Sequence, residues 1–165
     1  MRRGIYSSAV FAKKCRLGIL IVFQSGIGVF KQSGVIPYRI REGKIEILLV
    51  TSSSGKNWIV PKGWIEPFMN SIDSAAKEAR EEAGILGSLL EPAIGTYRDR
   101  KLGFTYSVEI FLMRVETILE EWAEASKRKR RWYSLSKASD RVKKAELKQI
   151  LEKLRSHHQL SVTSD

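Results

Sequence analysis

The segment from Ser71 to Gly84 constrains the fold of this chain more than any other part. Asp73 or Ser71 can cap the start of a helix here, and a glycine such as Gly84 commonly ends one. At about 100° per residue, the apolar residues of this segment fall on one narrow stripe. These residues are Ile72, Ala75, Ala76, Ala79 and Ala83. We therefore predict a short amphipathic helix that ends at Gly84.

Three glutamates of this helix, Glu78, Glu81 and Glu82, stand at positions i, i+3 and i+4. Their carboxylates should gather on one patch beside the apolar stripe. Such a charge run is most often a solvated helix face. However, three like charges repel one another, and Mg²⁺ or Mn²⁺ prefers carboxylate and water oxygens. The pattern is therefore also compatible with a metal site.

The sequence around the helix resembles the Nudix box. That box has a glycine, five residues, a glutamate, seven residues and then Arg-Glu-apolar-any-Glu-Glu-any-Gly-apolar. The matching residues are Gly63, Glu78, Ala79, Glu81, Glu82, Gly84 and Ile85. The chain is therefore identified as a member of the Nudix hydrolase superfamily.

Two positions of the box depart from the family pattern. Met69 stands where the family has its first glutamate, and Lys77 stands where it has arginine. In the family these two side chains usually support the loop over the helix. The departures therefore put the loop geometry in doubt rather than metal binding, because the three helix carboxylates are kept.

The resemblance implies an α+β fold in which a mixed sheet is sandwiched between helices. It also implies hydrolysis of a phosphoanhydride bond with Mg²⁺, for which Mn²⁺ can substitute. Glu78, Glu82, Glu81 and Gly63 are the implied metal ligands. Glu81, Glu78 and Lys62 are the implied catalytic residues, with Glu81 either sharing the coordination or acting as general base.

Four segments outside the box are similar to the diphosphoinositol polyphosphate phosphohydrolase branch of the superfamily. These segments are 48–54, 58–61, 120–122 and 128–133. Members of that branch cleave diphosphoinositol polyphosphates and diadenosine polyphosphates, so we expect a polyphosphorylated small molecule as substrate. Cations and hydroxyl groups should then contact its phosphates. The candidates are Arg39, Ser52, Ser53, Ser54, Lys62, Arg98, Arg128, Lys129 and Arg130.

Three other functions stay open. A hydrolase of damaged nucleoside triphosphates would need a base-stacking ring, which Trp58 or Tyr97 could supply. An RNA 5′-pyrophosphate hydrolase is suggested by the basic run Lys127–Arg131, although a nucleic-acid partner is the less favoured expectation. A non-catalytic sensor of a phosphorylated ligand is favoured by Met69 and Lys77.

Composition limits the class of protein. The 165 residues are 43% hydrophobic and 28% charged, as in one soluble globular domain. Cys15 is the single cysteine, which excludes an internal disulfide and makes the cytoplasm the expected compartment. The net charge of +11 includes six cations and no acid within residues 1–31. An anionic partner is therefore expected.

We predict a basic and apolar extension over residues 1–31, a Nudix domain over 32–156 and a polar tail over 157–165. No apolar run is long enough for stable membrane insertion, and the chain is expected to be a monomer or a homodimer. The predicted strands are Val35–Ile40, Ile45–Thr51, Asn57–Val60, Ala93–Arg98, Phe104–Val115 and Trp132–Leu135, followed by a helix over Arg141–Leu154.

Overall fold

The fold is a mixed β-sheet between helices, seen in a computed structural model that describes residues 30–101 and 104–162. The elements are β1 (Phe30–Arg41), β2 (Lys44–Thr51), β3 (Trp58–Ile59), β4 (Lys62–Trp64), α1 (Ser71–Ala83), β5 (Ile85–Lys101), β6 (Phe104–Ile118), β7 (Arg130–Ser134), α2 (Leu135–Arg141) and α3 (Ala145–Val162).

The sheet is ordered β3-β2-β1-β6-β5, with β4 added beside β1 and β7 added beside β2. β1 and β6 run parallel, and the other pairs are antiparallel. Strand alternation sends successive side chains to opposite faces. One face packs against α1 and the other against α2 and α3. The predicted α+β class and sandwich are thereby confirmed.

Small residues let α1 lie close to the sheet. Ala75, Ala79 and Ala83 are fully buried against Val35 and Leu48. Burying each larger aliphatic side chain contributes about 1.5–3 kcal/mol. An alanine stripe leaves room for the helix backbone to approach, which carries its glutamates to the edge of β4.

The ends of α1 confirm one prediction and correct another. Gly84 ends the helix in the left-handed conformation, with φ of 61°, as predicted. The N-cap is Asn70, whose side-chain oxygen accepts a hydrogen bond from the Asp73 backbone N–H at 2.8 Å. The predicted caps Ser71 and Asp73 were wrong, because the helix starts at Ser71 and places both residues in its first turn.

The strands and the terminal helix also differ from the prediction. β5 begins at Ile85, directly after Gly84, and not at Ala93, because two register shifts break its alternation. The helix predicted over Arg141–Leu154 corresponds to α3, which begins later, at Ala145, and the short helix α2 before it was not predicted. Val142 is buried between the two helices.

The predicted segment boundaries fall partly inside regular structure. β1 already begins at Phe30, and α3 continues through Val162. Residues 102–103, between the predicted strands Ala93–Arg98 and Phe104–Val115, and residues 1–29 of the extension lie outside the described residues. Among the helices that the structure describes, none is long and apolar enough to cross a membrane.

Candidate active site

Gly63 and Glu78 share one small space between β4 and α1. A Cβ atom at Gly63 would coincide with the Glu78 carboxylate group. Within the described ranges, no hydrogen-bond donor or cation contacts that carboxylate, although Glu78 is only partly exposed. A half-buried carboxylate without a donor is costly to keep ionised, so its oxygens suit a ligand that supplies positive charge.

The second carboxylate, that of Glu82, is buried and held on both sides. One oxygen accepts a hydrogen bond from the Lys62 backbone N–H at 3.1 Å. The other oxygen pairs with the Arg128 guanidinium, and both of these side chains are 8% exposed. The edge of β4 thus touches both glutamates, through Gly63 and through the Lys62 amide.

Burial makes both carboxyl groups resist ionisation. Burial, together with repulsion from the neighbouring Glu82 carboxylate, raises the pKa of Glu78 to about 7. Burial also raises the pKa of Glu82 to about 7, although Arg128 and the Lys62 amide act in the opposite direction. Two acids close together in such a place are typical of functional sites. A divalent cation would relieve the repulsion.

Glu81, next to this pair, has a partner of its own. Its carboxylate accepts a hydrogen bond from the Lys77 ammonium at 2.8 Å, and its side chain is 41% exposed. The predicted patch of three gathered carboxylates is therefore an inward pair, Glu78 and Glu82, and a separate Glu81 held by Lys77. The physical reason is that Lys77 offers an i,i+4 partner on the solvent side.

Lys77 also holds the loop that leads from β4 to α1. Its ammonium lies 3.0 Å from the carboxylate of Glu66. Glu66, three residues before Met69, therefore provides the acid that contacts the helix from this loop. The loop is further fixed where the Met69 N–H donates to the Glu66 carbonyl at 3.1 Å.

The chain after β6 wraps around the C-terminus of α1. The Arg130 guanidinium donates to the carbonyls of Ala83, Gly84 and Leu119 at 2.7 to 3.0 Å and stacks on Trp122 at 4.0 Å. These contacts satisfy carbonyl groups that a helix end leaves unpaired. Arg130 thus has a structural role here, although sequence reasoning selected it for phosphate binding.

Glu124 and Thr51 belong to the site although sequence reasoning missed them. Glu124 pairs with Arg128, and the Thr51 carbonyl accepts a hydrogen bond from Arg128 at 2.8 Å. The pairing of Glu124 with Arg128 could have been predicted from their i,i+4 spacing. The contact with Thr51 joins residues 77 positions apart, so no sequence pattern could have predicted it.

Four of the remaining candidates for phosphate binding lie near Thr51 and Arg128. Ser52, Ser53 and Ser54 follow Thr51, so their loop borders Arg128. The side chain of Lys129 is exposed there, and its N–H donates to the Thr51 hydroxyl at 3.0 Å.

The last three candidate cations are Arg39, Arg98 and Lys62. Arg39 pairs with Glu46 at 2.7 Å and stacks on Trp132. It lies five residues along β1 from Gly34, the partner of Lys62, which is roughly 17 Å in a strand. Arg98 is exposed on β5, beyond β6. The Lys62 ammonium donates to Gln32 at 3.1 Å.

The donor set fits a hard divalent cation only in part. No three acidic, thiol or imidazole groups within the described ranges stand close enough to cage a metal. Mg²⁺ rarely needs such a cage, because it keeps several waters and takes one or two carboxylates with substrate phosphates. The pair of Glu78 and Glu82 beside Gly63 meets that smaller requirement.

Comparison with known proteins agrees with this geometry. The sequence matches the family profile described as NUDIX domain over residues 31–154. It is 30% identical to Nudix hydrolase 12, mitochondrial, of Arabidopsis thaliana over 73% of this chain and 70% of the relative. It is 34% identical to diphosphoinositol polyphosphate phosphohydrolase 2 of Rattus norvegicus over 67% of this chain and 62% of the relative.

Solved structures agree with the sequence relatives. The crystal structure of C. elegans Ap4A hydrolase superposes with a TM-score of 0.66 at 27% identity, covering 79% of this chain and 98% of that one. The NUDIX domain of Shewanella oneidensis NrtR, solved with ADP ribose, superposes with a TM-score of 0.63 at 14% identity and supports the fold alone. The predicted resemblance is confirmed, and the chain belongs to the Nudix hydrolase family.

Proposed function

We propose that this protein hydrolyses phosphoanhydride bonds in polyphosphorylated small molecules with the help of Mg²⁺, for which Mn²⁺ can substitute. The observation that carries the proposal is the pair of a half-buried Glu78 and a buried Glu82, with the Glu78 carboxylate lying against Gly63. Membership of the Nudix family supports the same reaction class.

In this proposal Glu78 and Glu82 hold the cation, together with the backbone carbonyl of Gly63. The bound cation supplies neutralisation of phosphate oxygens and a lower pKa for the attacking water. Glu81 is half-exposed beside them and is proposed to share the coordination or to accept the proton of that water. Lys62 fixes Glu82 through its backbone amide and adds positive charge near the site.

The proposed phosphate contacts come from the rim next to Thr51. Ser52, Ser53 and Ser54 offer hydroxyl groups there, and Lys129 offers an exposed ammonium. Arg98 is proposed as a contact for a more distant phosphate. Arg39 is left out, because its guanidinium is engaged at the far end of β1. Arg130 is left out because it binds backbone carbonyls.

We propose the exposed ring at the end of β4 as the group that would stack on a nucleobase of the substrate. Trp64 directly follows Gly63, is 37% exposed and packs edge-on against Tyr106 at 4.8 Å. A base that stacks on such a ring gains about 1–3 kcal/mol. The earlier candidates Trp58 and Tyr97 pack in the core instead. We therefore rank dinucleoside polyphosphates ahead of diphosphoinositol polyphosphates.

A substrate panel tests the proposal. The protein is assayed with diadenosine tetraphosphate, a diphosphoinositol polyphosphate, an oxidised nucleoside triphosphate and a 5′-triphosphate RNA, each with Mg²⁺ and with EDTA. We expect Mg²⁺-dependent cleavage that is fastest for diadenosine tetraphosphate. Tight binding without cleavage of any substrate would contradict the proposal and identify a sensor.

A substitution at Trp64 tests the preference for a base. Trp64→Ala should raise KM for diadenosine tetraphosphate about tenfold, because one stacking contact is lost. KM for the diphosphoinositol polyphosphate should stay within about twofold, and this substrate is the internal control. Equal changes in both KM values would remove Trp64 as a base contact.

The location and the assembly of the protein are inferred from its composition and size. We propose a cytoplasmic location from the single cysteine, Cys15, and a monomer or homodimer from the size of the domain. Both are checked by fractionation of cells and by light scattering of the purified protein.

A further inference from the structure

Arg128 is a buried arginine within an exposed basic run. Its side chain is 8% exposed, whereas Lys127 and Lys129 on either side are exposed. Each of its three guanidinium nitrogens donates to a protein oxygen. Nε donates to the Glu124 carboxylate, Nη1 to the Thr51 carbonyl and Nη2 to the Glu82 carboxylate. A planar fork held on three sides has a single orientation.

The three acceptors come from separate parts of the fold. Thr51 ends β2, Glu82 lies in the last turn of α1, and Glu124 lies in the connection from β6 to β7. Glu124 is itself fixed, because its N–H donates to the Glu81 carbonyl at 3.1 Å. The position of the guanidinium is therefore set by acceptors on three parts of the fold, one backbone carbonyl and two carboxylates.

The Glu82 carboxylate is clamped as a result. Arg128 holds one of its oxygens, and the Lys62 amide holds the other at 3.1 Å. Each carboxylate oxygen has two acceptor positions, so one contact on each still leaves room for a cation. The clamp fixes the direction in which the remaining positions point.

We propose that Arg128 is a positioning residue of the cation site, which holds the Glu82 carboxylate in one orientation while Glu124 holds the guanidinium. The inference rests on the proposed function, because it takes Glu82 as a cation ligand. It replaces the sequence-based prediction that Arg128 contacts substrate phosphate, which would need guanidinium N–H groups aimed at the substrate.

If Arg128 acts only through its charge, its removal has the opposite effect on cation binding from the one expected if it orients Glu82. As a positive charge alone, Arg128 repels a nearby cation, so its removal would tighten cation binding. As an outer contact that orients a ligand, its removal should weaken binding by about 10–100-fold. Arg128→Lys separates the two, because lysine keeps the charge but one ammonium cannot contact three acceptors in three directions.

The experiment measures Mn²⁺ binding by electron paramagnetic resonance without substrate, in the wild type and in Arg128→Lys, Arg128→Gln and Glu124→Gln. Lys127→Gln is the matched control, since it removes an exposed neighbouring charge. We expect at least tenfold weaker Mn²⁺ binding for both Arg128 variants, a smaller loss for Glu124→Gln and no change for Lys127→Gln. Thermal unfolding of each variant reports whether it folds. If neither Arg128 variant folds, Glu124→Gln still tests the proposal.

Kinetics with diadenosine tetraphosphate give a second readout. A positioning role predicts a lower kcat for Arg128→Lys at saturating Mg²⁺ with KM within about threefold. A raised KM with wild-type Mn²⁺ affinity would overturn the proposal in favour of a phosphate contact, as would tighter Mn²⁺ binding in Arg128→Gln. Absence of Mn²⁺ binding in the wild type would instead overturn the proposed function on which the inference rests.

Discussion

At the scale of single residues, the site depends on how closely Gly63 and Glu78 approach each other. The glycine is required by space, since a Cβ atom there would overlap the Glu78 carboxylate. The sequence spacing predicted that both residues belong to the site, but it could not show this overlap. Nor could it show that Glu81 turns to Lys77, because the choice between two directions on a helix surface depends on the neighbouring side chains.

A double-mutant cycle tests the shared space. Gly63→Ala should destabilise the wild type by about 1–3 kcal/mol, because overpacking at a filled position costs that much. In the Glu78→Ala background the same change should cost less than about 0.5 kcal/mol, because the colliding group is gone. Urea unfolding of the four proteins measures the coupling. Equal costs in both backgrounds would show that the two residues are independent.

The pH dependence of stability tests the raised pKa values of Glu78 and Glu82. Each has an ordinary pKa of 4.5 when unfolded and about 7 when folded. Between these values the folded protein binds more protons, so the free energy of unfolding should fall as pH rises from about 5 to about 7. The slope is up to about 1.4 kcal/mol per pH unit for each proton.

Urea unfolding in EDTA at several pH values measures this slope. Glu78→Gln removes one titrating group and should flatten it, whereas Glu116→Gln, an exposed change, should not. Added Mg²⁺ should stabilise the wild type most at high pH, since cation binding needs the ionised carboxylates. Identical slopes for the wild type and Glu78→Gln would show that Glu78 titrates normally.

At the scale of elements, the loop from β4 to α1 is tied to the helix in a way that the family pattern did not predict. The departures at Met69 and Lys77 put the geometry of this loop in doubt. Instead, Lys77 contacts Glu66, so the acid has a different position in the loop and the contact between loop and helix is kept. The identity of that partner depends on the path of the loop, which includes a left-handed residue at Phe68 with φ of 68°.

A cycle of Glu66→Gln and Lys77→Gln measures the strength of this contact. The coupling free energy should be about 0.5 kcal/mol, because both side chains are about one third exposed and water screens them. Turnover should fall in Glu66→Gln even though the free energy of unfolding changes little, since the loop connects Gly63 to α1. Strictly additive stabilities together with unchanged turnover in Glu66→Gln would contradict this account.

Other elements show why boundaries were harder to predict than element types. The helix was predicted from a clear stripe of apolar residues, and its C-terminus from Gly84. β5 was predicted too short, because Gly87 and Pro92 interrupt its pattern while hydrogen bonds to β6 continue on both sides. The strand is therefore held by its pairing with β6, which the local sequence pattern does not show.

At the scale of the whole molecule, α1, β4 and the connection from β6 to β7 meet at one edge of the sheet. Leu119, Glu124 and Arg130 fasten that connection to the last turn of α1. The fold class followed from the order of predicted helices and strands and from the Nudix resemblance. The contacts of Glu82 with Lys62 and of Arg128 with Glu82 and Thr51 join residues 20 to 77 positions apart, and no local pattern contains them.

The central claim is that Glu78 and Glu82 hold the cation that the reaction requires. Turnover of diadenosine tetraphosphate by Glu82→Gln at saturating Mg²⁺ tests it most directly, with Glu116→Gln as the matched control and circular dichroism to verify folding. We predict that Glu82→Gln folds and loses at least about 100-fold in turnover, a loss of at least about 2.7 kcal/mol in transition-state stabilisation. A folded Glu82→Gln protein with turnover within threefold of the wild type would contradict the claim.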